Sequence, residues 1–140
     1  MKTSLFQKIC RIILGLFMTL AGIGHLTFQR EEFVAQVPKW LPDNPHFVDF
    51  IVVSSGVVEI ALGLSMIFLC RHKVKVGLAL AIFFVLVFPG NISQYTHGID
   101  AFGLDTDKKR FIRLLFQPVL ILWALWSTGA LKHITNRNKD

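Results

Sequence analysis

Charge, cysteine and tyrosine are all scarce in this chain of 140 residues. Charged residues make up 17%, and there are two cysteines and one tyrosine. Two cysteines exclude a secreted disulfide scaffold. There is no Cys-x-x-Cys, so dithiol redox chemistry of the oxidoreductase kind is not expected. There is no His-x-x-x-His pair for a b-type haem and no metal-ligand spacing, so no metal and no intrinsic cofactor are expected. What is abundant is apolar side chain: 53% of residues are hydrophobic and the mean hydropathy is +0.54. Disorder is excluded by these numbers. A soluble domain this small has too much surface to hide so much apolar side chain. The remaining class is all-α and integral to the membrane. A helical span takes about 20 residues, so about 80 residues make four spans and leave no room for a separate soluble domain. The net charge of +6 sits at the ends of apolar runs, which reads as an orientation signal rather than a nucleic-acid face.

Four runs carry the apolar residues: about 9–25, 48–70, 74–95 and 111–131. Their lengths suit helices and lack the alternation of barrel strands. The first follows Lys2, Lys8 and Arg11 like a signal peptide, but it ends at a polar His25 with nothing soluble to export. It reads as a retained span. One side of the membrane receives nine Lys and Arg: Lys2, Lys8, Arg11, Arg71, Lys73, Lys75, Lys132, Arg137 and Lys139. The other receives six: Arg30, Lys39, Lys108, Lys109, Arg110 and Arg113. Both termini are therefore expected on the cytoplasmic side. The connection 26–47 is the only long one. Phe33, Val37, Trp40 and Leu41 fall at i, i+4, i+7 and i+8, which predicts a short interfacial helix. Pro38 interrupts it and Pro42 ends it; an irregular loop is the alternative reading.

Polar groups inside apolar spans carry the functional information, because each is costly unless paired. Glu59 lies at the middle of the second span, too deep to face lipid. Ser55 shares its face at i, i+4. Asn91, Gln94 and Tyr95 share a face of the third span, and Arg113 and Gln117 a face of the fourth. Met18, Gly22 and His25 line up on the first. Counting about 1.5 Å per residue from the outer ends places His25 and Arg113 within roughly 5 Å of the surface. Asn91 and Gln117 come near 9 Å, Ser55 near 10 Å and Glu59 near 16 Å by the same rise. The expected result is a polar pocket open to the outside above a plain apolar half. Its candidate residues are His25, Ser55, Glu59, Asn91, Gln94, Arg113 and Gln117. Glu59 is expected to reach Asn91, Gln117 or Ser55, directly or through water. Arg113 is expected to find His25 or an outer-loop acid. Pro89, just before Gly90 and Asn91, should break or kink the third helix. Each group also has a plainer reading: an interhelical tie for Asn91 and Gln117, an interfacial position for His25 and Arg113.

Five short stretches, in order, resemble the DoxX family of small four-helix membrane proteins. They are AGIGH at 21–25, VPKWLP at 37–42, SGVVEI at 55–60, FPGNI at 88–92 and RLLFQP at 113–118. The resemblance implies one four-helix domain over residues 1–140 in the bacterial cytoplasmic membrane. It falls on His25, Glu59, Asn91, Arg113 and Gln117. Relatives in that family include a subunit associated with a thiosulfate:quinone oxidoreductase, members linked to oxidative stress, and a distant receptor-assembly chaperone. Three functions follow as expectations. One is a redox-associated membrane subunit with a quinone in the pocket and a partner protein, membrane or peripheral, holding the electron carrier. The second is a non-catalytic assembly protein. The third is a small-solute transporter, for which a homo-oligomer would double the architecture. The lipid bilayer is the expected partner in all three, and nucleic acid in none.

Overall fold

Local capping chemistry fixes where the helices begin. Ser4 accepts a hydrogen bond from the Gln7 backbone while the Gln7 side chain accepts from the Ser4 backbone, a complete capping box. Asn44 caps the His46 backbone N–H with Pro45 at the first helical position. Thr106 accepts from Lys109 in the same way. Lys109 also donates to Asp105 at 2.8 Å and holds that carboxyl below its ordinary range.

The computed structural model describes residues 3–28, 30–42, 44–99 and 104–138, and the side chain of every one except Gln36. Among these there is no strand. Six α-helices follow in order: α1 Leu5–Leu26, α2 Arg30–Gln36, α3 Pro45–Phe68, α4 Lys73–Thr96, α5 Asp107–Ser127 and α6 Ala130–Arg137. A 3₁₀ turn, Cys70–His72, joins α3 to α4. The four long helices α1, α3, α4 and α5 are each apolar and long enough to span a bilayer. They form an all-α membrane-spanning bundle. Large apolar side chains such as Leu20, Phe50, Leu86, Val119 and Leu122 are exposed around its outside, where lipid is their natural solvent. Lys2 and Lys139, which entered the count of basic residues, lie outside the described residues.

Three expectations need correction. The fourth span stops at Ser127 rather than 131, because Gly129 takes a left-handed φ of 80° and starts a new direction. The segment between the first two spans is helical only from Arg30 to Gln36, ending before Val37 and Pro38. It is also no separate interfacial rod: α2 packs against α1, α3 and α4, and Val37 is buried while Trp40 stays exposed. Pro89 does not break its helix, which is continuous from Lys73 to Thr96.

The bundle is built on an α1–α3 seam, its most extensive contact. Gly22 and Gly56 let the two backbones touch. A Cβ on Gly22 would lie 2.7 Å from the Gly56 carbonyl oxygen, and one on Gly56 would lie 2.7 Å from the His25 Cβ. This seam sets the level of one helix against the other. The last turn of α1 lies beside Gly56, eleven residues into α3. The first three turns of α3 therefore rise about 16 Å past the end of α1. Below the seam, Leu14, Met18, Met66, Leu80, Phe84 and Ala124 close the apolar core.

Candidate functional site

The seam decides where His25 goes. With α1 ending level with Gly56, His25 sits deep in the bundle, one turn from Glu59 of α3. Its Nε2 meets Glu59 Oε2 at 2.8 Å. Its Nδ1 lies 3.3 Å from the Val52 carbonyl oxygen, which can only accept. A neutral imidazole has one N–H and cannot donate to both groups. Which of the two ring nitrogens donates depends on the tautomer. The Nε2–Oε2 contact is close but off the hydrogen-bonding axis, so Oε2 has no aligned donor. Phe33 of α2 stacks on the His25 ring with centroids 3.3 Å apart.

Across the interior, α4 and α5 contribute a second polar group. Gln117 is 1% exposed and makes three bonds. Its Oε1 accepts from Asn91 Nδ2 at 3.3 Å and from Arg113 Nη1 at 3.0 Å. Its Nε2 donates to the Phe84 carbonyl at 2.7 Å. That carbonyl is one residue from Val85, whose own carbonyl loses its helical donor to Pro89. Arg113 is half-buried, with its guanidinium 5.9 Å from the centre of the Phe116 ring. Glu59 is near enough to Arg113 to act on it electrostatically.

These two groups meet at a cavity of about 500 Å³. It runs along α1 from Leu14 to His25, about 16 Å at the helical rise. His25, Glu59, Asn91, Arg113 and Gln117 all line it. Its remaining wall is apolar and aromatic, including Met18, Phe83, Phe84 and Trp123. Phe17 and Phe116 also line it and are 61% and 44% exposed. The cavity is thus bordered by exposed side chains of α1 and α5.

Five of the seven candidate residues converge. The other two do not. Ser55 lines a neighbouring cavity of about 290 Å³, which shares His25, Phe33 and Val87 with the first. Gln94 is 1% exposed and donates to the Ile99 carbonyl, tying the α4–α5 connection. The expected pairings also change. The close direct contact of Glu59 is with His25, and Arg113 donates to Gln117 rather than to His25 or a loop acid. The depth count failed because it assumed that all helices end at one level.

Three further residues escaped sequence reasoning. Phe33 was placed at the interface, but it lies on His25. Arg11 was counted as an orientation charge, yet it is 2% exposed and donates to the Cys70 sulfur at 3.4 Å. Its position inside the first apolar run was the available signal. Arg110 is likewise buried, bonded to the Ile99 carbonyl and Asp107, and the i, i+3 spacing to Asp107 could have marked it. Among the described residues no group of three or more His, Cys, Asp or Glu side chains could hold a metal.

No curated protein and no solved structure matches the chain. One family profile does match, over residues 14–128, which takes in α1 from Leu14 on, all of α3, α4 and α5, and every residue lining the 500 Å³ cavity. The chain belongs to the family described as Domain of unknown function (DUF8561).

Proposed function

We propose that this is a DoxX-like accessory protein of a membrane redox system. It holds a lipid-soluble ring compound of the quinone type. The observation that carries this reading is a cavity with polar groups inside and exposed aromatic side chains of α1 and α5 at its border. A cavity whose rim is Phe17 and Phe116 on the lipid-facing surface, and whose depth is polar, suits a molecule arriving from the bilayer. The apolar wall would take a ring and the first part of a tail. Arg113, with N–H groups to spare beyond the one on Gln117, would donate to a ring oxygen. His25 and Glu59, 2.8 Å apart, would handle a proton at the same place. Electrons would come from a partner protein holding the carrier. The setting is the bacterial cytoplasmic membrane, with both termini cytoplasmic, on the nine-to-six balance of basic residues.

The test is purification of the full chain in mild detergent, followed by extraction and analysis of bound lipids. The expected result is an isoprenoid quinone bound in proportion to protein, and much less of it in Leu120→Trp, which narrows the cavity. A protein that carries none and takes up none when it is added sinks the reading. A second reading, a non-catalytic assembly protein, is favoured by one observation. The Asn91–Gln117–Phe84 bonds tie α4 to α5 and give those groups a structural task. It expects a partner membrane protein to co-purify and the cavity to stay empty.

A further inference from the structure

The groups facing the cavity differ in what they still lack. The Gln117 oxygen already accepts two bonds, and its amide donates one to the Phe84 carbonyl. Asn91 is engaged through Gln117. Arg113 brings donors only. Glu59 is the acceptor that is left. It is 8% exposed, it lines the cavity, and no aligned donor reaches Oε2 among the described residues.

From this we infer that the cavity selects a neutral lipophile bearing a hydroxyl, which donates to Glu59 while an acceptor oxygen of the same head takes an N–H of Arg113. The inference rests on the pocket reading above and deepens it. The reasoning is one of stranded groups. A ligand that fills the cavity keeps water away from Glu59. A head with acceptors only then leaves a buried carboxylate unserved. A head with an O–H restores the bond, and a bond to a carboxylate is a strong one. A carboxylate head would satisfy Arg113 but set its own oxygens against those of Glu59. An ammonium head would do the reverse. Only a head with one donor and one acceptor suits both. For a ring compound with two interconvertible forms, the cavity therefore favours the hydroxyl-bearing form over the carbonyl-bearing one.

A short-chain benzoquinone, its hydroquinone and the dimethyl ether of that hydroquinone separate the possibilities. They have nearly the same ring, and only one carries O–H groups. Binding is measured without oxygen, on the full chain in phospholipid nanodiscs, by quenching of tryptophan emission; Trp123 lines the cavity. The hydroquinone is expected to bind about tenfold tighter than either of the others, the effect of one stranded acceptor. Glu59→Leu, which removes the acceptor, is expected to bring the three within about twofold, on the same reasoning. Equal binding of all three to the native chain overturns this inference and leaves the pocket reading standing. So does a preference that survives in Glu59→Leu. Should that variant not fold, the dimethyl ether against the hydroquinone in the native chain decides alone. Binding of none of the three removes the pocket reading and this inference together.

Discussion

Replacing Gln117 by leucine tests whether the polar group between α4 and α5 holds the bundle together. The side chain is 1% exposed, and its three bonds run to Asn91, Arg113 and the Phe84 carbonyl. Leucine is close in size, so no large cavity opens. What is lost is hydrogen bonding. Interhelical bonds in membranes average about 0.6 kcal/mol and reach about 1.7. The 3.3 Å bond to Asn91 belongs at the low end of that range and the 2.7 Å bond to Phe84 at the high end. Arg113 keeps other donors and can turn toward water or the Phe116 ring, so its loss is small. The sum is a destabilisation of about 2 kcal/mol. Reversible unfolding in mixed micelles, or steric trapping in bicelles, would measure it. A double-mutant cycle with Asn91→Ala should show coupling of about 0.6 kcal/mol. If Gln117→Leu costs less than about 0.5 kcal/mol, the bonds are not structural and the assembly reading loses its supporting observation.

Four other outcomes are expected. Glu59→Gln keeps shape and hydrogen bonding but removes the titratable proton. It should fold normally and fail to complement a deletion strain under oxidative stress, whereas full complementation at equal stability would remove Glu59 from the site. Gly56→Ala forces a Cβ to 2.7 Å from the His25 Cβ and 3.1 Å from the Gly22 carbonyl. It should cost about 1–3 kcal/mol by overpacking, and a neutral result in the same unfolding assay would mean the seam is looser than described. Phe33→Ala uncovers the His25 ring, so that acylation of this histidine by diethyl pyrocarbonate should speed up several-fold; an unchanged rate would refute the stacking. Reporter fusions at the C-terminus and in the connection before α5 should give cytoplasmic and external signals respectively, and the reverse pattern would invert the orientation.

The sequence by itself determined the class, the number of spans and which of their residues are polar. Hydropathy summed over 20 residues needs no knowledge of neighbours, so the four runs found α1, α3, α4 and α5 to within a few residues. The same logic picked out Glu59, because an acid in mid-span must be turned inward. Helical spacing paired Arg113 with Gln117, a contact within one helix that the structure contains. Contacts between helices were another matter. The sequence assigned His25 to the surface and Glu59 to the middle, yet they touch at 2.8 Å. Their meeting depends on how far α3 rises past α1. That offset is set by glycines on different helices fitting against each other's backbone, Gly22 with Gly56 and Gly15 with Gly63, and no property of either helix alone encodes it. The tertiary structure likewise sent Phe33 onto His25 and Gln94 to a loop carbonyl. A periodic pattern states which face of a helix turns inward; only packing states what that face meets, and at what height.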